Sequence, residues 1–277
     1  MLKLTTAYLL VSHGSRDPRP QAAIAGLSHR LSEALACPVG WAILEFGQES
    51  LAVQIQQFAR TQRAVDQVYI VPLFLSSGVH VCDDIPEQIA IARSGLAHEV
   101  AMPEVKLAPF RRVGSTPGLI TLPHLGSAID FSRSVRERMQ HYPEIEAWVT
   151  IAHGSRRTGG NAEVEAIATH IQREIPQPHR IAYWSREGQL VEKIEELIAL
   201  GHRTIGLLPH LLFPGKLTDG INTTLQKVAQ QFPDALFVCL NTWGEAHEWT
   251  PSLVDWLKQE TQSEESAPYR YTRLTTT

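Results

Sequence analysis

One motif occurs twice in the chain, and this duplication restricts the possible folds more than any other feature. Residues 8–16 read YLLVSHGSR and residues 148–156 read WVTIAHGSR, so in both places an apolar run is followed by His-Gly-Ser-Arg. Four consecutive identities after matching apolar runs are not expected by chance in a chain of 277 residues. The sequence therefore indicates two copies of one structural unit.

The similarity continues downstream of both motifs. Apolar residues recur at helical spacing over 24–35 and again over 164–175. Strand-like and amphipathic patterns then alternate in three further pairs of segments, which are 40–46 with 179–185, 51–58 with 190–197, and 65–78 with 202–215. Strands that alternate with helices in this way are typical of parallel sheets covered by helices. We therefore predict an α/β fold with two tandem domains, each built on a parallel sheet.

Local composition suggests where these domains begin and end. Residues 110–127 contain three glycines and two prolines, which favours a connecting segment. The polar C-terminal stretch is typical of a frayed end. We predict an N-terminal domain over 1–109, a linker over 110–127, a C-terminal domain over 128–261 and a flexible tail over 262–277.

Charge and cysteine content exclude several classes of protein. The formal net charge is −4, whereas a non-specific nucleic-acid-binding protein would carry a basic surplus. Cys37, Cys82 and Cys239 are odd in number and far apart, which favours a reducing compartment over a disulfide framework. The apolar run at Ala7–Ser12 is too short to cross a bilayer. We expect a cytoplasmic protein without nucleic-acid or membrane partners, and a monomer, with a dimer as the alternative.

Three polar side chains of the first half follow predicted strands. His13 ends the first strand, Glu45 closes the second, and His80 lies in the loop after the third. Parallel strands bring their carboxyl ends to one edge of the sheet, where ligands bind in open α/β sheets. Two imidazoles and a carboxylate suit a first-row divalent ion and also proton abstraction near neutral pH. The alternative is that these are hydrogen-bonded structural residues.

The second half serves as an internal control for this interpretation. It keeps the first histidine as His153, but aligning the repeats gives Trp184 in place of the carboxylate and Leu217 in place of the second histidine. An aromatic ring and a leucine would fill a cavity rather than bind an ion. His210 offers a substitute ligand, although it falls within the predicted strand. We therefore predict one working site, in the N-terminal half.

The motifs of the first half resemble those of a known family. The runs LLVSHGSRDPR, ILEF and VPLFLSSGVHVCDDIPEQI are similar to those of the class II chelatases that act on sirohydrochlorin. That family includes cobaltochelatases of cobalamin synthesis and ferrochelatases of sirohaem synthesis. The resemblance covers residues 7–92 closely and 147–232 more weakly. It implies two flavodoxin-like domains with a cleft between them.

The resemblance also implies roles for individual residues. His13 and His80 match the catalytic, metal-binding histidines of the family, with His13 as the proton acceptor. The substrate-contacting positions match Glu45, Leu75, Ser76, Ser77, Gly78 and Val79. A divalent ion, Co²⁺, Fe²⁺ or Ni²⁺, is then a substrate inserted into sirohydrochlorin, and no organic cofactor is expected.

The tetrapyrrole carries many carboxylates, which basic side chains near the sheet edge could bind. The candidates, each equally consistent with solvated surface charge, are Arg16, Arg19, Arg156, Arg157 and Lys216. A non-catalytic carrier of metal or tetrapyrrole is the alternative function that the sequence leaves open. A histidine phosphatase would need an arginine directly before the histidine, where the chain has Ser12 and Ala152.

Overall fold

The computed structural model describes residues 5–62, 64–76, 80–99, 116–128, 131–155 and 159–266. These residues form two four-stranded sheets in which every strand pairing is parallel, with helices between the strands. The predicted α/β fold with two tandem domains is confirmed. No helix in the described part of the chain combines the length and the apolar character needed to cross a bilayer.

The first half contains four strands and four helices among the described residues. In chain order its elements are β1 (Thr6–Ser12), α1 (Pro18–Leu35), β2 (Val39–Ile43), α2 (Leu51–Thr61), β3 (Gln67–Pro72), a π-helical turn (His80–Asp84), α3 (Ile85–Glu99), β4 (Gly118–Thr121) and α4 (Leu125–Ala128). The strand order in the sheet is β2-β1-β3-β4. Side chains cap two of the helices, because Asp17 accepts from the Arg19 amide and Ser50 from the Val53 amide.

The second half repeats this arrangement. Its elements are α5 (Phe131–Gln140), β5 (Ala147–Ala152), α6 (Ala162–Glu174), β6 (His179–Tyr183), α7 (Gln189–Ala199), β7 (Thr204–His210), α8 (Lys216–Gln231), β8 (Leu236–Cys239), a 3-10 turn (His247–Trp249) and α9 (Thr250–Ser266). The strand order is β6-β5-β7-β8. The register also repeats, since Val11 lies opposite Pro72 in the first sheet and Ile151 lies opposite Pro209 in the second.

The first strand shows how the apolar sequence builds two cores. Leu9 and Val11 pack on one face of the sheet with residues of α2 and α3. Tyr8 and Leu10 face the opposite side and join a core that includes residues of both halves. A strand that is buried on both faces requires apolar residues at every position, which is what β1 contains.

The last helix of the described chain crosses from the second half to the first, because α9 packs against α1. The Tyr8 hydroxyl is 2.7 Å from the Thr261 hydroxyl in this buried contact. A continuous apolar core therefore fixes the two sheets relative to each other, and the space between their carboxyl edges has a defined shape.

Two segments differ from what composition suggested. The predicted linker includes β4, which pairs with β3 and belongs to the first sheet; residues 110–115 of the linker lie outside the described residues. Helix α9 continues to Ser266, beyond the predicted start of the flexible tail. Pro117 and Pro123 flank a strand of only four residues, which is too short to show a periodic signal. The domain boundaries themselves stay a prediction.

Candidate metal centre between the two halves

The carboxyl edge of the first sheet brings His13, Glu45 and His80 together. His13 directly follows β1, and its carbonyl oxygen accepts a hydrogen bond of 2.8 Å from the Glu45 amide after β2. His80 opens the π-helical turn in the connection after β3. One ligand atom from each residue lies within 4.8 Å of the other two. Within the described residues, this is the one group of three such side chains with ligand atoms so close together.

The two imidazoles lie close to different oxygens of a single carboxylate. Nε2 of His13 lies 3.9 Å from Oε2 of Glu45, and Nε2 of His80 lies 4.0 Å from Oε1. Both distances are too long for direct hydrogen bonds, so space remains between the three groups. Two ligands of one ion with bonds of about 2.1 Å lie at most about 4.2 Å apart. The two N–O distances meet this limit, whereas the set of three ligand atoms spans up to 4.8 Å, so the side chains would close slightly around an ion. Two nitrogens and one oxygen suit a divalent first-row ion.

The other nitrogen of each imidazole faces an acceptor. Nδ1 of His13 lies 3.1 Å from the carbonyl oxygen of Gly14. Nδ1 of His80 lies 2.7 Å from Oδ2 of Asp84. The rings are nearly perpendicular, with centroids 4.7 Å apart. Both rings are therefore held at the nitrogen that points away from the carboxylate.

Gly14 permits the close approach between the first two strand ends. Its φ is +92°, and a Cβ at this position would lie 2.1 Å from the carbonyl oxygen of Glu45. Only glycine fits both this backbone conformation and this contact. Gly154 adopts the same conformation in the second half, with φ +83°. The glycine of the repeated motif is thus required by the fold at both places.

A cavity of about 780 Å³ lies between the carboxyl edges of the two sheets. The first half contributes His13 and His80 to its lining, and the second contributes His153 and Lys216. Much of the wall is apolar and is formed by Leu73, Phe74, Leu75, Val164, Leu211, Leu212, Phe213 and Leu217. The cavity therefore offers polar groups from both halves and apolar walls between them, which is typical of a small-molecule site.

The other predicted substrate-contacting residues are only partly described. Leu75 and Ser76 line the cavity. Ser77, Gly78 and Val79 lie outside the described residues. Their predicted role stays a prediction.

The described residues of the second half contain no group equivalent to His13, Glu45 and His80, and one of the predicted residue equivalences was wrong. Ser185, not Trp184, is the counterpart of Glu45, because its amide donates to the His153 carbonyl as the Glu45 amide does to His13. The alignment was one residue out, and Trp184 is partly buried against the apolar core of the second half, as is Leu217. The corrected counterpart is a hydroxyl, so this position in the second half still has no carboxylate.

His210 is a buried residue rather than an exposed ligand. It is the last residue of β7, and only 3% of its surface is exposed. The Trp243 indole donates to its Nδ1 over 3.3 Å, and the Phe131 ring packs against it. Burial lowers the pKa of His210 to about 4, so its imidazole is neutral at physiological pH.

The predicted basic residues have different surroundings. Arg19 is engaged by the carboxylates of Asp17 and Asp219. The Arg16 guanidinium lies 5.4 Å from the centre of the Phe46 ring. Lys216 is the one lysine or arginine among the described residues that line the cavity. Arg156 and Arg157 lie outside the described residues.

Sequence reasoning missed two residues beside the centre. Asp84 was not among the predicted site residues, although its spacing of four from His80 is a signal for a contact on one helical face. Phe46 has a left-handed backbone, with φ +62°, and its half-exposed ring lies 6.3 Å from that of His13. No sequence signal marks this conformation, because non-glycine residues rarely adopt it.

Comparison with known proteins gives consistent results. The protein-family model CbiX matches residues 7–141 and again residues 147–263. The sirohydrochlorin ferrochelatase of Bacillus subtilis strain 168 is 24% identical over 234 residues, which are 82% of each chain. The sirohydrochlorin cobaltochelatase of Methanothermobacter thermautotrophicus is 29% identical over 90 residues, which are 32% of this chain and 62% of the relative.

A solved structure shows the same fold over nearly the whole chain. It is the sirohydrochlorin chelatase SirB from Bacillus subtilis subspecies spizizenii in complex with cobalt. The TM-score is 0.69 at 20% sequence identity, and the match covers 95% of this chain and 97% of the other.

Proposed function

The chain belongs to the CbiX family, and from this premise we propose that it is a chelatase that inserts a divalent metal ion, Co²⁺ or Fe²⁺, into sirohydrochlorin. The curated relatives that it resembles are named for this reaction with iron and with cobalt. The observation that carries the proposal is the convergence of His13, Glu45 and His80 within 4.8 Å, with both histidines lining a cavity large enough for a small molecule. The product would serve sirohaem or cobalamin synthesis.

In this proposal, His13 and His80 bind the incoming ion through Nε2, and Glu45 adds a negative charge. The exposed fractions of the His13 and Glu45 side chains are 46% and 43%, so the ion reaches them from solvent. An imidazole binds an ion only when the coordinating nitrogen is unprotonated. Metal binding is therefore expected to weaken in acid.

The reaction exchanges one dication for two protons. A free-base tetrapyrrole loses two pyrrole protons as the ion moves into its ring. Each nitrogen or oxygen that releases the ion becomes an acceptor within reach of the ring, so His13, His80 and Glu45 can take these protons and pass them to water. Since two protons replace a dication, the charge of the cluster is the same before and after transfer, and the exchange requires no other charged group.

The cavity supplies the binding surface for the macrocycle. Its apolar wall suits the flat ring, while Lys216 is placed to bind one of the carboxylates. The second half thus contributes to substrate binding without holding the ion. We also propose that the reaction takes place in the cytoplasm and that the two fused halves suffice as a monomer.

An absorbance assay tests the proposal. Purified protein is mixed without air with excess sirohydrochlorin and Co²⁺, Fe²⁺ or Ni²⁺ in turn, and metallated product is followed over time. We expect many product molecules per protein with Co²⁺ or Fe²⁺. Product limited to one equivalent, or binding without metallation, would instead indicate a carrier of metal or tetrapyrrole.

A further inference from the structure

Among the described residues, Asp84 is the closest side-chain partner of the metal centre. Its Oδ2 lies 2.7 Å from Nδ1 of His80, and the two residues are the first and last of the π-helical turn. Side chains four residues apart meet on one helical face. Short π-helical stretches are rare and frequent at functional sites. The turn thus brings this carboxylate to the side of the imidazole that faces away from Glu45.

We propose that Asp84 is a positioning residue, which holds His80 in the tautomer and orientation that present the Nε2 lone pair to the metal ion. An ionised carboxylate can only accept a hydrogen bond, so Nδ1 of His80 must donate. The neutral ring then has no proton on Nε2, the nitrogen that lies 4.0 Å from Glu45. Without Asp84, the proton could occupy either nitrogen and the ring could rotate.

His13 is held in the same tautomer by a different group. Its Nδ1 faces the carbonyl oxygen of Gly14, which also only accepts. A main-chain carbonyl is present whatever the side chain, whereas the acceptor for His80 must come from the sequence. Asp84 also brings a negative charge, which increases the electron donation of the imidazole to a bound cation.

The second half supports the interpretation of His80 and Asp84 as one unit. Counted from Pro72 and Pro209, which occupy equivalent register positions, His80 matches Leu217. The buried faces of α3 and α8 match Ile85 and Ile89 with Ile221 and Leu225, so Asp84 matches Gly220. Where the ligand is absent, its acceptor is absent as well, because Leu217 and Gly220 carry neither an imidazole nor a carboxylate.

Cobalt titration without tetrapyrrole tests Asp84 directly. Asp84→Ala should weaken Co²⁺ binding about 10- to 100-fold, the usual effect of removing the partner of a metal-binding histidine. Asp84→Asn should recover part of this loss, because its amide oxygen still accepts from Nδ1. Asp83→Ala is the matched control, since it removes an exposed aspartate from the neighbouring position of the same turn and should leave binding within about twofold.

A second measurement separates positioning from a general structural effect. Nitrogen-15 NMR of the His80 ring should show the proton on Nδ1 in the wild type and a mixture of tautomers in Asp84→Ala. In steady-state turnover assays, Asp84→Ala should raise the KM for metal and leave the KM for sirohydrochlorin unchanged. Cobalt affinity of Asp84→Ala within about twofold of wild type, or an equal loss in Asp83→Ala, overturns the proposal, as does an unchanged tautomer.

The inference rests on the proposed function, but the two can fail separately. If the wild type binds cobalt through His80 and never metallates sirohydrochlorin, the chelatase proposal fails. The role of Asp84 is decided by the cobalt titration and the tautomer, neither of which requires turnover.

Discussion

The two halves share a backbone plan and differ in the side chains at the carboxyl edges of their sheets. Strand order, register and the left-handed glycine of the motif are the same in both. Four equivalent positions at the edge differ in what they can bind. They are His13, Glu45, His80 and Asp84 in the first half, and His153, Ser185, Leu217 and Gly220 in the second.

The comparison separates the requirements of the fold from those of ion binding. Gly14 and Gly154 are needed to let neighbouring strand ends approach, whatever the edge binds. The carboxylate and the second imidazole are not needed for folding, because the second half folds with a hydroxyl and a leucine in their places. The half without them still lines the shared cavity through His153 and Lys216. In the proposed function it therefore contributes to substrate binding rather than to ion binding.

The largest effect is expected from removing the second histidine. His80→Ala takes one imidazole from the ion and should lower turnover about 100-fold or more, since ligand and proton acceptor are lost together. His153→Ala should lower it by less than about threefold, because that ring has no partner histidine at position 217. Steady-state rates at saturating metal, with circular dichroism to verify folding, provide the measurement. Equal losses in the two variants would show that both halves share one reacting centre.

Exchanging the residues at the second strand end sharpens the same comparison. Glu45→Ser copies the second half and should lower turnover about 10- to 100-fold, because the ion loses its anionic ligand. Ser185→Glu copies the first half and should create no second centre, since Leu217 provides no imidazole. Steady-state turnover measures the first outcome, and cobalt stoichiometry measures the second. Two ions per chain in Ser185→Glu would mean that a histidine and a carboxylate suffice.

Much of this comparison could be predicted from the sequence. Apolar runs and helical spacing predicted the two parallel sheets, because buried strands and amphipathic helices leave periodic patterns. The convergence of His13, Glu45 and His80 followed from the rule that parallel strands end at one edge. The sheets and this convergence both follow from regular backbone geometry, which produces periodic patterns in the sequence.

Irregular segments could not be predicted in the same way. The contact of Asp84 with His80 depends on a π-helical turn, and the ring of Phe46 is placed by a left-handed backbone at a residue that is not glycine. Ser185 was missed because strand register is set by hydrogen bonds, which an alignment of residue letters does not contain. The packing of α9 on α1 depends on the tertiary fold, and no local pattern encodes it.

Acid should destabilise the second half more than the first. Burial lowers the pKa of His179 and of His210 to about 4, and both residues belong to the second sheet. The unfolded chain binds these protons near pH 6.5, whereas the folded chain binds them only near pH 4. The free energy of unfolding is therefore unaffected by these two histidines above pH 6.5 and decreases as the pH falls toward 4. The loss at pH 5 is at most about 2 kcal/mol for each histidine.

Variants that copy the first half test this pH dependence. By strand register, Val39 is the counterpart of His179 and Leu73 is that of His210. His179→Val and His210→Leu should each reduce the difference in unfolding free energy between pH 7 and pH 5, even if lost hydrogen bonds lower stability at pH 7. Denaturant unfolding at both pH values gives the result. An unchanged difference would mean that these histidines do not control acid sensitivity.

The smallest effect is expected at the ion pair that joins the two halves beside the cavity. Both guanidinium Nη atoms of Arg19 lie 2.6 Å from the carboxylate oxygens of Asp219, at the starts of α1 and α8. The pair is exposed, and the shared core already fixes the halves, so Asp219→Asn should raise the KM for sirohydrochlorin by less than about threefold. This difference in KM between the variant and the wild type should disappear at high salt, because salt screens exposed charges.

Asp234→Asn, which removes an exposed aspartate elsewhere in the second half, is the control and should leave the KM unchanged. A large loss of affinity that persists in salt would show that Arg19 and Asp219 set the width of the cavity, and the halves would then act as hinged parts rather than one rigid frame.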